Sequence, residues 1–422
     1  MSRLLYSLAW WLALPLVLAR LWWRGRAEPG YRRHVAERLG FYPVVEAAAP
    51  LIWVHAVSVG ETRAAEPLVE ALLAAYPQHN ILLTHMTATG RATGAVLFAR
   101  YGGRVRQCYL PYDTGWMTGR FLAHFAPRLC VLMETEVWPN LIAQCARRRV
   151  PVALVNARLS ARSLARGQRL GSLIGDAAAS LACVGAQTAA DAQRIVQLGA
   201  RKVEVTGSLK FDVAPPPAAF ELGAALRRQI GARPVLLCAS TRDGEEALIL
   251  AALRQRGLGD ALLLLVPRHP QRFEQVAQSI AAAGFSMMRR SALGQGALAP
   301  AVQVLLGDSM GEMFTYYAAS DLAFIGGSLL PFGGQNLIEA CALGRPVLLG
   351  PHTYNFAAVS DDAVAAGAAL RVTDAAALLE RASRLLRADA ERAAMGEKAR
   401  AFALQHRGAT QRTLALLAPL MA

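Results

Sequence analysis

The sequence predicts an α/β protein in which two doubly wound, parallel-sheet domains follow an apolar N-terminal helix. From residue 51 onward, short apolar runs alternate with helical stretches rich in Ala, Leu and Arg. Most of these runs are continuous, as is typical of strands buried on both faces of a parallel sheet. A proline run at 215–217 interrupts the alternation, which then restarts. Ahead of both series, residues 4–19 contain no charged side chain.

Composition excludes several other classes of protein. The chain has 422 residues, of which 54% are hydrophobic and 18% charged, far too apolar for a disordered chain. No residue period indicates a fibre or coiled coil. The six cysteines are scattered without CxxC or His–Cys spacing, which predicts buried free thiols rather than a zinc site.

The N-terminal segment is predicted to be a membrane anchor. About 20 apolar residues span a bilayer, and tryptophan pairs lie within and at the end of residues 4–23. Arginines follow the segment, and by the positive-inside rule they place the body of the protein in the cytoplasm. The alternatives are a helix lying in the membrane interface and, since no small-x-small site follows, less favourably a cleaved signal peptide.

The strand candidates fall into two series, one on each side of the proline run. The first comprises Leu51–Val57, Ile81–His85, Val105–Leu110, Leu129–Met133, Val152–Val155, Leu181–Val184 and Val203–Thr206. The second comprises Val235–Cys238, Leu262–Val266, Val302–Leu306, Leu322–Ile325 and Val347–Leu349. Helical stretches such as Ala64–Ala75 and Asp191–Leu198 lie between them.

These series define the predicted domains: an anchor at 1–26, one Rossmann-like domain at 27–212 and a second at 213–390. The last helical stretch, within 391–422, could cross back onto the first domain. Two such domains facing across a cleft form the GT-B glycosyltransferase architecture. The alternation of strands and helices alone also fits the domain pairs of periplasmic-binding-like or dehydrogenase-like proteins.

The charge indicates an anionic partner, because the formal net charge is +15. Twelve of these units lie in residues 1–212, which favours a membrane surface or a phosphorylated substrate. No run of five or six basic residues and no aromatic-rich RNA motif occurs, so nucleic acid is not expected. Only three of the 45 basic residues are lysines: Lys202, Lys210 and Lys398.

Ligands bind beyond the carboxyl ends of the strands in such sheets, and candidate residues occur at three such places in the first domain. Glu61 opens a helix and is either a general base or a partner of the helix dipole. Glu134 and Glu136 follow an apolar strand, either as a paired site or as an N-cap and a surface carboxylate. Lys210 lies at the domain junction and suits a phosphate or carboxylate, unless it is merely exposed.

The second domain presents strand-end loops that together indicate a nucleotide site. Glycines at 326–327 and 333–334 would let backbone amides approach a phosphate, and the helix after Gly334 would aim its N-terminus at an anion. The candidate residues are Pro267, Arg268, Met310, Gly311, Glu312, Asn336, Leu337, Ile338 and Glu339. No GxxxxGK[ST], GxSxG, HExxH or DxD motif occurs, and no metal is expected.

Taken together, these motifs resemble those of bacterial 3-deoxy-D-manno-octulosonic acid (Kdo) transferases. The resemblance covers essentially the whole chain, through residues 24–26, 37–42, 58–61, 134–140, 156–160, 207–212, 267–270, 326–328 and 350–352. One departure is Gln335, where the family pattern has His. Both side chains can donate a hydrogen bond.

The resemblance implies a GT-B fold and inverting transfer of Kdo from CMP-Kdo to a lipid A precursor (lipid IVA), without a metal or nucleic acid. It assigns Glu61 as the base, Glu134 and Lys210 to transition-state stabilisation, and the second-domain segments above to CMP. It implies attachment to the cytoplasmic face of the bacterial inner membrane. The alternatives are another GT-B transferase with a UDP-sugar and a lipid acceptor, or a non-catalytic nucleotide-binding module.

Overall fold

A computed structural model describes residues 2–26, 28–43, 49–212 and 215–421. The chain forms two compact units: unit 1 contains residues 1–212 and 408–422, and unit 2 contains residues 213–407. Each unit has one seven-stranded sheet whose described strand pairs are all parallel. The predicted α/β class with two doubly wound sheets is confirmed.

The unit 1 sheet has the strand order β3-β2-β1-β4-β5-β6-β7. Its strands are β1 Leu51–His55, β2 Asn80–His85, β3 Val105–Tyr109, β4 Leu129–Met133, β5 Val152–Ala157, β6 Cys183–Ala186 and β7 Val203–Val205. The chain runs from β1 outward to β3, then returns to place β4 on the other side of β1. The topological switch point of this sheet, where α/β proteins bind ligands, therefore lies between β1 and β4.

Most of the helices after the unit 1 strands begin at a Ser or Thr whose side chain accepts a backbone hydrogen bond. The unit 1 helices before the linker are α1 Arg3–Arg24, α2 Val35–Arg38, α3 Val59–Ala75, α4 Ala88–Leu97, α5 Gly115–Phe125, α6 Pro139–Arg147, α7 Ala161–Arg169, α8 Ser172–Ala179 and α9 Ala189–Leu198. Short 3₁₀ helices cover Pro29–Arg32, Ala99–Arg104 and Leu209–Phe211.

The core of unit 1 lies on both faces of its sheet. Trp53 on β1 packs with Phe121 and residues of α6 and α8 on one face. Its neighbours Ile52 and Val54 pack with α3 on the other. Because helices cover both faces of the sheet, the strand ends are the part of the sheet at which a ligand can bind.

The unit 2 sheet repeats this plan with the order β10-β11-β9-β8-β12-β13-β14 and a switch point between β8 and β12. Its strands are β8 Val235–Thr241, β9 Leu262–Pro267, β10 Met287–Arg289, β11 Val304–Leu306, β12 Leu322–Ile325, β13 Val347–Leu349 and β14 Ala369–Arg371. The sequence pattern did not predict β10 and β14, the two edge strands.

Helices on both faces complete unit 2. They are α10 Pro217–Ile230, α11 Glu245–Arg256, α12 Phe273–Ala282, α13 Met313–Ala319, α14 Ile338–Ala342, α15 Ala357–Ala365, α16 Ala375–Arg387 and α17 Asp389–Gln405. Two 3₁₀ helices cover Pro270–Arg272 and Arg290–Ala292.

The chain then returns to unit 1 through α18, Ala409–Leu417, and a final 3₁₀ helix, Ala418–Leu420. Leu416 and Leu417 join the unit 1 core. The Asp212 carboxylate accepts the amides of Gly408 and Thr410, at 2.9 and 2.7 Å. The single helical stretch expected at 391–417 is thus two helices, divided at Gly408, whose φ is 84°.

One helix in the described part of the chain is long and apolar enough to cross a membrane by length and composition. It is α1, with a mean hydropathy of 1.7 over its most apolar segment. This length and composition support membrane association.

Candidate active site

Three of the candidate residues meet at the carboxyl edge of the unit 1 sheet. Glu61 lies in the first turn of α3, after β1, and Glu134 directly follows β4. The two carboxylates therefore flank the switch point between β1 and β4. Lys210, in the 3₁₀ helix after β7, places its Nζ 2.6 Å from Glu134 Oε1. The structure brings together the three residues that the resemblance assigns to catalysis.

Glu134 is held as a buried, doubly paired carboxylate. Its side chain is only 7% exposed, and its second oxygen lies 3.1 Å from Arg158 Nε. The backbone of Glu134 has φ 56°, a left-handed conformation that is strained for a side chain of this kind. Asn156, also at positive φ, accepts the amide of Leu209 at 3.0 Å and so ties the Lys210 helix to β5. Two cations, Lys210 and Arg158, therefore face this buried carboxylate.

Glu61 combines a capping role with the environment of a base. Its carboxylate accepts the Val57 amide at 2.9 Å and the Ser58 hydroxyl at 3.1 Å, and Ser58 caps α3. Burial is the main cause that raises the pKa of Glu61, and the charge of Glu134 adds to it. The hydrogen bonds and Lys210 oppose that shift. A raised pKa makes the ionised carboxylate a stronger proton acceptor, and the same side chain also hydrogen-bonds the start of α3.

A third carboxylate, Glu136, belongs to the same cluster. The Trp138 indole donates to its Oε2 at 2.7 Å. Burial raises the pKa of Glu136 to about 7, with the charge of Glu61 as the next cause. Glu136 is therefore neither a helix cap nor a freely exposed surface carboxylate.

The N-terminus of α6, beside this cluster, is capped from another loop. The Asp113 carboxylate accepts the amides of Asn140 and Leu141 at 3.1 and 2.8 Å. Asn140 Nδ2 returns a bond to the Asp113 carbonyl at 2.7 Å. Since Asp113 caps α6 from another loop, neither Glu134 nor Glu136 is needed as a cap, and both belong to the carboxylate cluster.

We expect Glu136→Gln to change how stability depends on pH. A carboxyl whose pKa rises from 4.5 unfolded to about 7 folded stabilises the fold below pH 4.5, and this contribution is lost as pH rises through 7. The variant cannot ionise, so relative to the parent it should gain about 2 kcal/mol between about pH 5 and pH 8. Urea unfolding across this range measures the effect, with the exposed Glu204→Gln as control. Parallel curves for parent and Glu136→Gln would contradict it.

In unit 2, a buried carboxylate organises the loops at the switch point. Glu245, at the start of α11, is fully buried and accepts the amides of Gly327 and Leu329 at 2.6 and 2.9 Å. It also accepts the amide of Arg242, after β8, at 2.8 Å. The expectation that the glycines at 326–327 offer their amides to a phosphate is wrong for Gly327, whose amide is already bonded to Glu245.

The cationic loop after β9 lies beside this switch point. Pro267 ends the strand and is buried, whereas Arg268 is exposed and donates its amide to the Thr241 carbonyl at 3.0 Å. Arg268 and Glu339 are both charged neighbours of the buried Tyr317. The structure therefore brings the first and last of the predicted nucleotide segments to one part of unit 2.

The segment 336–339 lies partly in the core of unit 2 and partly at the predicted nucleotide site. Leu337 and Ile338 are fully buried, so only their backbone can reach a ligand. Asn336 accepts the Ile338 amide at 3.0 Å, and its Nδ2 lies 3.4 Å from Glu339 Oε1. The expected anion-binding helix, α14, has five residues, which leaves little macrodipole to attract an anion.

The segment 310–312 follows β11, next to β9 in the sheet. Met310 is 63% exposed and Gly311 has φ 82°. Glu312 pairs with Arg290 at 3.0 Å and also accepts the hydroxyl of Ser309. The Glu312 carboxylate is therefore already paired with Arg290, and Met310 and Gly311 are the exposed residues of this loop.

Comparison with known proteins identifies the chain. Residues 33–213 match the family model for 3-deoxy-D-manno-octulosonic-acid transferase (kdotransferase), and residues 289–402 match that for glycosyl transferases group 1. A 3-deoxy-D-manno-octulosonic acid transferase of Bordetella pertussis is 50% identical, over 98% of each chain. The chain belongs to the Kdo transferase family. The corresponding protein of Haemophilus influenzae is 37% identical over 99% of each chain. Membership of this family makes the protein a glycosyltransferase.

Solved structures share its fold. The UDP-GlcNAc 2-epimerase of Neisseria meningitidis aligns with a TM-score of 0.58 at 15% identity, covering 88% of this chain and 100% of its own. A glycosyltransferase of Rickettsia africae aligns with the same TM-score at 12% identity, covering 88% and 98%. At this identity the likeness concerns fold alone, and it confirms the GT-B fold class expected from the sequence.

Two further charged residues at these sheet edges, Arg158 and Glu245, were not among the predicted site residues. Arg158, which pairs with Glu134, follows β5, and its position after an apolar strand was a usable signal. Glu245 shows no such signal, because its partners Gly327 and Leu329 lie more than 80 positions away in sequence.

Within the described residues, no group of three or more His, Cys, Asp or Glu side chains could hold a metal ion. The carboxylates of the unit 1 cluster are instead faced by Lys210 and Arg158. The six cysteines are free and buried, as their scattered spacing predicts.

Proposed function

We propose that the protein transfers Kdo from CMP-Kdo to a sugar hydroxyl of a lipid A precursor, lipid IVA, with inversion at the anomeric carbon. The observation that carries the proposal is the cluster of Glu61, Glu134 and Lys210 at the unit 1 switch point, in a chain of the Kdo transferase family. Residues 27–212 would bind the acceptor and residues 213–390 the donor.

The chemistry assigned to these residues is a single displacement. The acceptor oxygen forms a bond to the anomeric carbon as the bond from that carbon to the CMP phosphate oxygen breaks. Glu61 takes the hydroxyl proton, for which burial has raised its pKa. CMP leaves with the bonding electron pair.

Lys210 and Glu134 would stabilise the transition state as a fixed charged pair. A pair already ordered in the folded protein needs no reorganisation as charge develops. In unit 2, Arg268 is the exposed cation suited to the phosphate of CMP, and Met310–Glu312 and Asn336–Glu339 would hold the nucleotide. CMP carries a single phosphate, so side-chain cations suffice in this proposal and no metal takes part.

The location proposed is the cytoplasmic face of the inner membrane, with α1 as the anchor. The apolar length of α1 and the arginines after it support this assignment. A phosphorylated lipid acceptor among anionic headgroups also matches the positive charge of residues 1–212.

The full-length protein incubated with CMP-Kdo and lipid IVA, followed by mass spectrometry, tests the proposal. We expect product masses raised by whole Kdo residues, and these masses also count the sugars added. CMP should inhibit and UDP should not, which separates this reaction from transfer of a UDP-sugar. Activity should survive EDTA. Absence of product would contradict the transfer of Kdo. Inhibition by UDP but not by CMP would contradict the CMP-sugar donor. A loss of activity in EDTA that Mg²⁺ restores would contradict a reaction without a metal.

A further inference from the structure

Helix α1 has two different faces along its whole length. Partly or fully buried side chains recur every three to four residues, at positions 6, 7, 10, 13, 14, 17, 18 and 21. The opposite stripe is exposed and apolar, with Leu4, Leu12 and Leu16 more than 70% exposed. Because this spacing defines one side of an α-helix, α1 lies along the surface of unit 1 and does not project away from it.

Polar contacts fix the first half of α1 to the folded unit. The Ser7 hydroxyl lies 3.2 Å from Asn140 Oδ1 and 3.0 Å from its Nδ2. Tyr6 hydrogen-bonds Asp113, the carboxylate that caps α6. Trp10 stacks on Tyr112 with their ring centroids 5.7 Å apart.

These contacts are incompatible with a helix that crosses the bilayer. The 22 residues of α1 measure about 33 Å, so a span would place the first turns deep in or beyond the hydrocarbon. Asp113 and the start of α6 would then have to follow Tyr6 and Ser7 into the membrane, or their hydrogen bonds would break. A buried carboxylate with its capped helix is costly to move into lipid.

The exposed stripe of α1 continues onto the body of unit 1. Trp11 lies 6.5 Å from Trp116, and Trp116 lies 5.8 Å from Phe41, measured between ring centroids. Trp116 and Phe41 are 50% and 47% exposed. The Arg120 guanidinium lies over both rings, at 5.1 and 4.5 Å. We call the exposed α1 stripe with these two aromatic residues the docking face.

An anionic phospholipid surface is the partner whose chemistry matches the docking face. Tryptophan prefers the membrane interface, and residues 1–38 carry seven arginines against two glutamates. Exposed arginines at positions 3, 20 and 26 flank the apolar stripe. A second protein copy would need no such basic surround.

We propose that α1 lies in the plane of the membrane, and that Trp116 and Phe41 enter the lipid surface together with its exposed stripe. The inference rests on the proposed membrane location but not on the proposed reaction. Its tests therefore measure topology and lipid binding, which stay informative whichever sugar is transferred.

The first test maps the side of the membrane on which α1 begins. Full-length Ser2→Cys protein in sealed inside-out membrane vesicles is treated with a membrane-impermeant maleimide. Ala390→Cys, at an exposed position of unit 2, reports the side of the body, and the six buried native cysteines keep the background low. We expect both cysteines to label in intact vesicles. Labelling of Ser2→Cys only after permeabilisation would overturn the proposal.

The second test measures partition of purified protein onto vesicles of phosphatidylcholine and phosphatidylglycerol by flotation. Phe41→Gln with Trp116→Gln should weaken binding at least about tenfold. The matched control is Phe220→Gln with Leu222→Gln, which changes two residues of similar exposure on α10 and should bind like the parent. Equal binding by both double variants would overturn the role of the aromatic pair. Loss of self-association without loss of vesicle binding would assign the face to a second copy.

Discussion

Replacing Glu61 by Gln is expected to lower turnover by about 10²- to 10⁴-fold, the contribution typical of a general base. The amide keeps an oxygen that can accept the Val57 amide, so the start of α3 is preserved. What it loses is the capacity to take a proton. Because the proposed CMP segments all lie in unit 2, the affinity for CMP should not change.

Steady-state kinetics with saturating CMP-Kdo, together with CMP binding by calorimetry, measure this result. The control is Asp191→Asn, because Asp191 caps α9 in the same way. It accepts the Thr188 hydroxyl at 2.6 Å and the Leu159 amide at 2.9 Å. Both substitutions should cost about 1 kcal/mol or less of stability, as lost caps do. Near-normal turnover of Glu61→Gln, or an equal loss in Asp191→Asn, would refute the assignment of the base.

The pH dependence of turnover tests the role of Glu61 independently. The base acts in its ionised form, and burial raises its pKa, so turnover should fall as pH drops through that raised pKa. Glu61→Gln should lack this acidic limb in its residual activity. Persistence of the limb would point to another titrating group, for which Glu136, with its raised pKa, is the candidate.

Strand positions could be predicted where burial on both faces forces a continuous apolar run. Leu129–Met133, Leu322–Ile325 and Val347–Leu349 have the bounds that the sequence indicated. The edge strands Met287–Arg289 and Ala369–Arg371 are three residues each, and most of their side chains remain partly or fully exposed. Such strands need little hydrophobicity, and their pattern does not stand out from loops.

The candidate site could be predicted only as far as strand ends reveal it. Glu61, Glu134 and Lys210 each follow a strand, so the sequence predicted the edge of the sheet on which they lie. Their partners depend on which strands are neighbours, and that order appears only in the folded sheet. The same holds for Glu245, which accepts the Gly327 amide that the glycine pattern assigned to a phosphate.

The second large effect is expected for Lys210→Met, which keeps the apolar stem of the side chain and removes its charge. Glu134 then retains Arg158 as its cation, 3.1 Å away. If Lys210 stabilises charge that develops in the transition state, turnover should fall about 10²- to 10³-fold, with little change in the affinity for CMP-Kdo. Lys202→Met, an exposed lysine of the same unit, is the control and should behave like the parent.

A purely structural role of Lys210 predicts a different pattern, and a double variant separates the two. Loss of the 2.6 Å pair leaves Glu134 undercompensated and should cost about 1–2 kcal/mol, between the values for surface and buried pairs. Adding Glu134→Gln removes the undercompensated carboxylate charge and should recover that stability, as urea unfolding would measure. Turnover should stay low, because both charges assigned to the transition state are then missing. If the double variant regained turnover together with stability, neither charge would be needed in the transition state, and the loss in Lys210→Met would come only from the undercompensated Glu134 carboxylate.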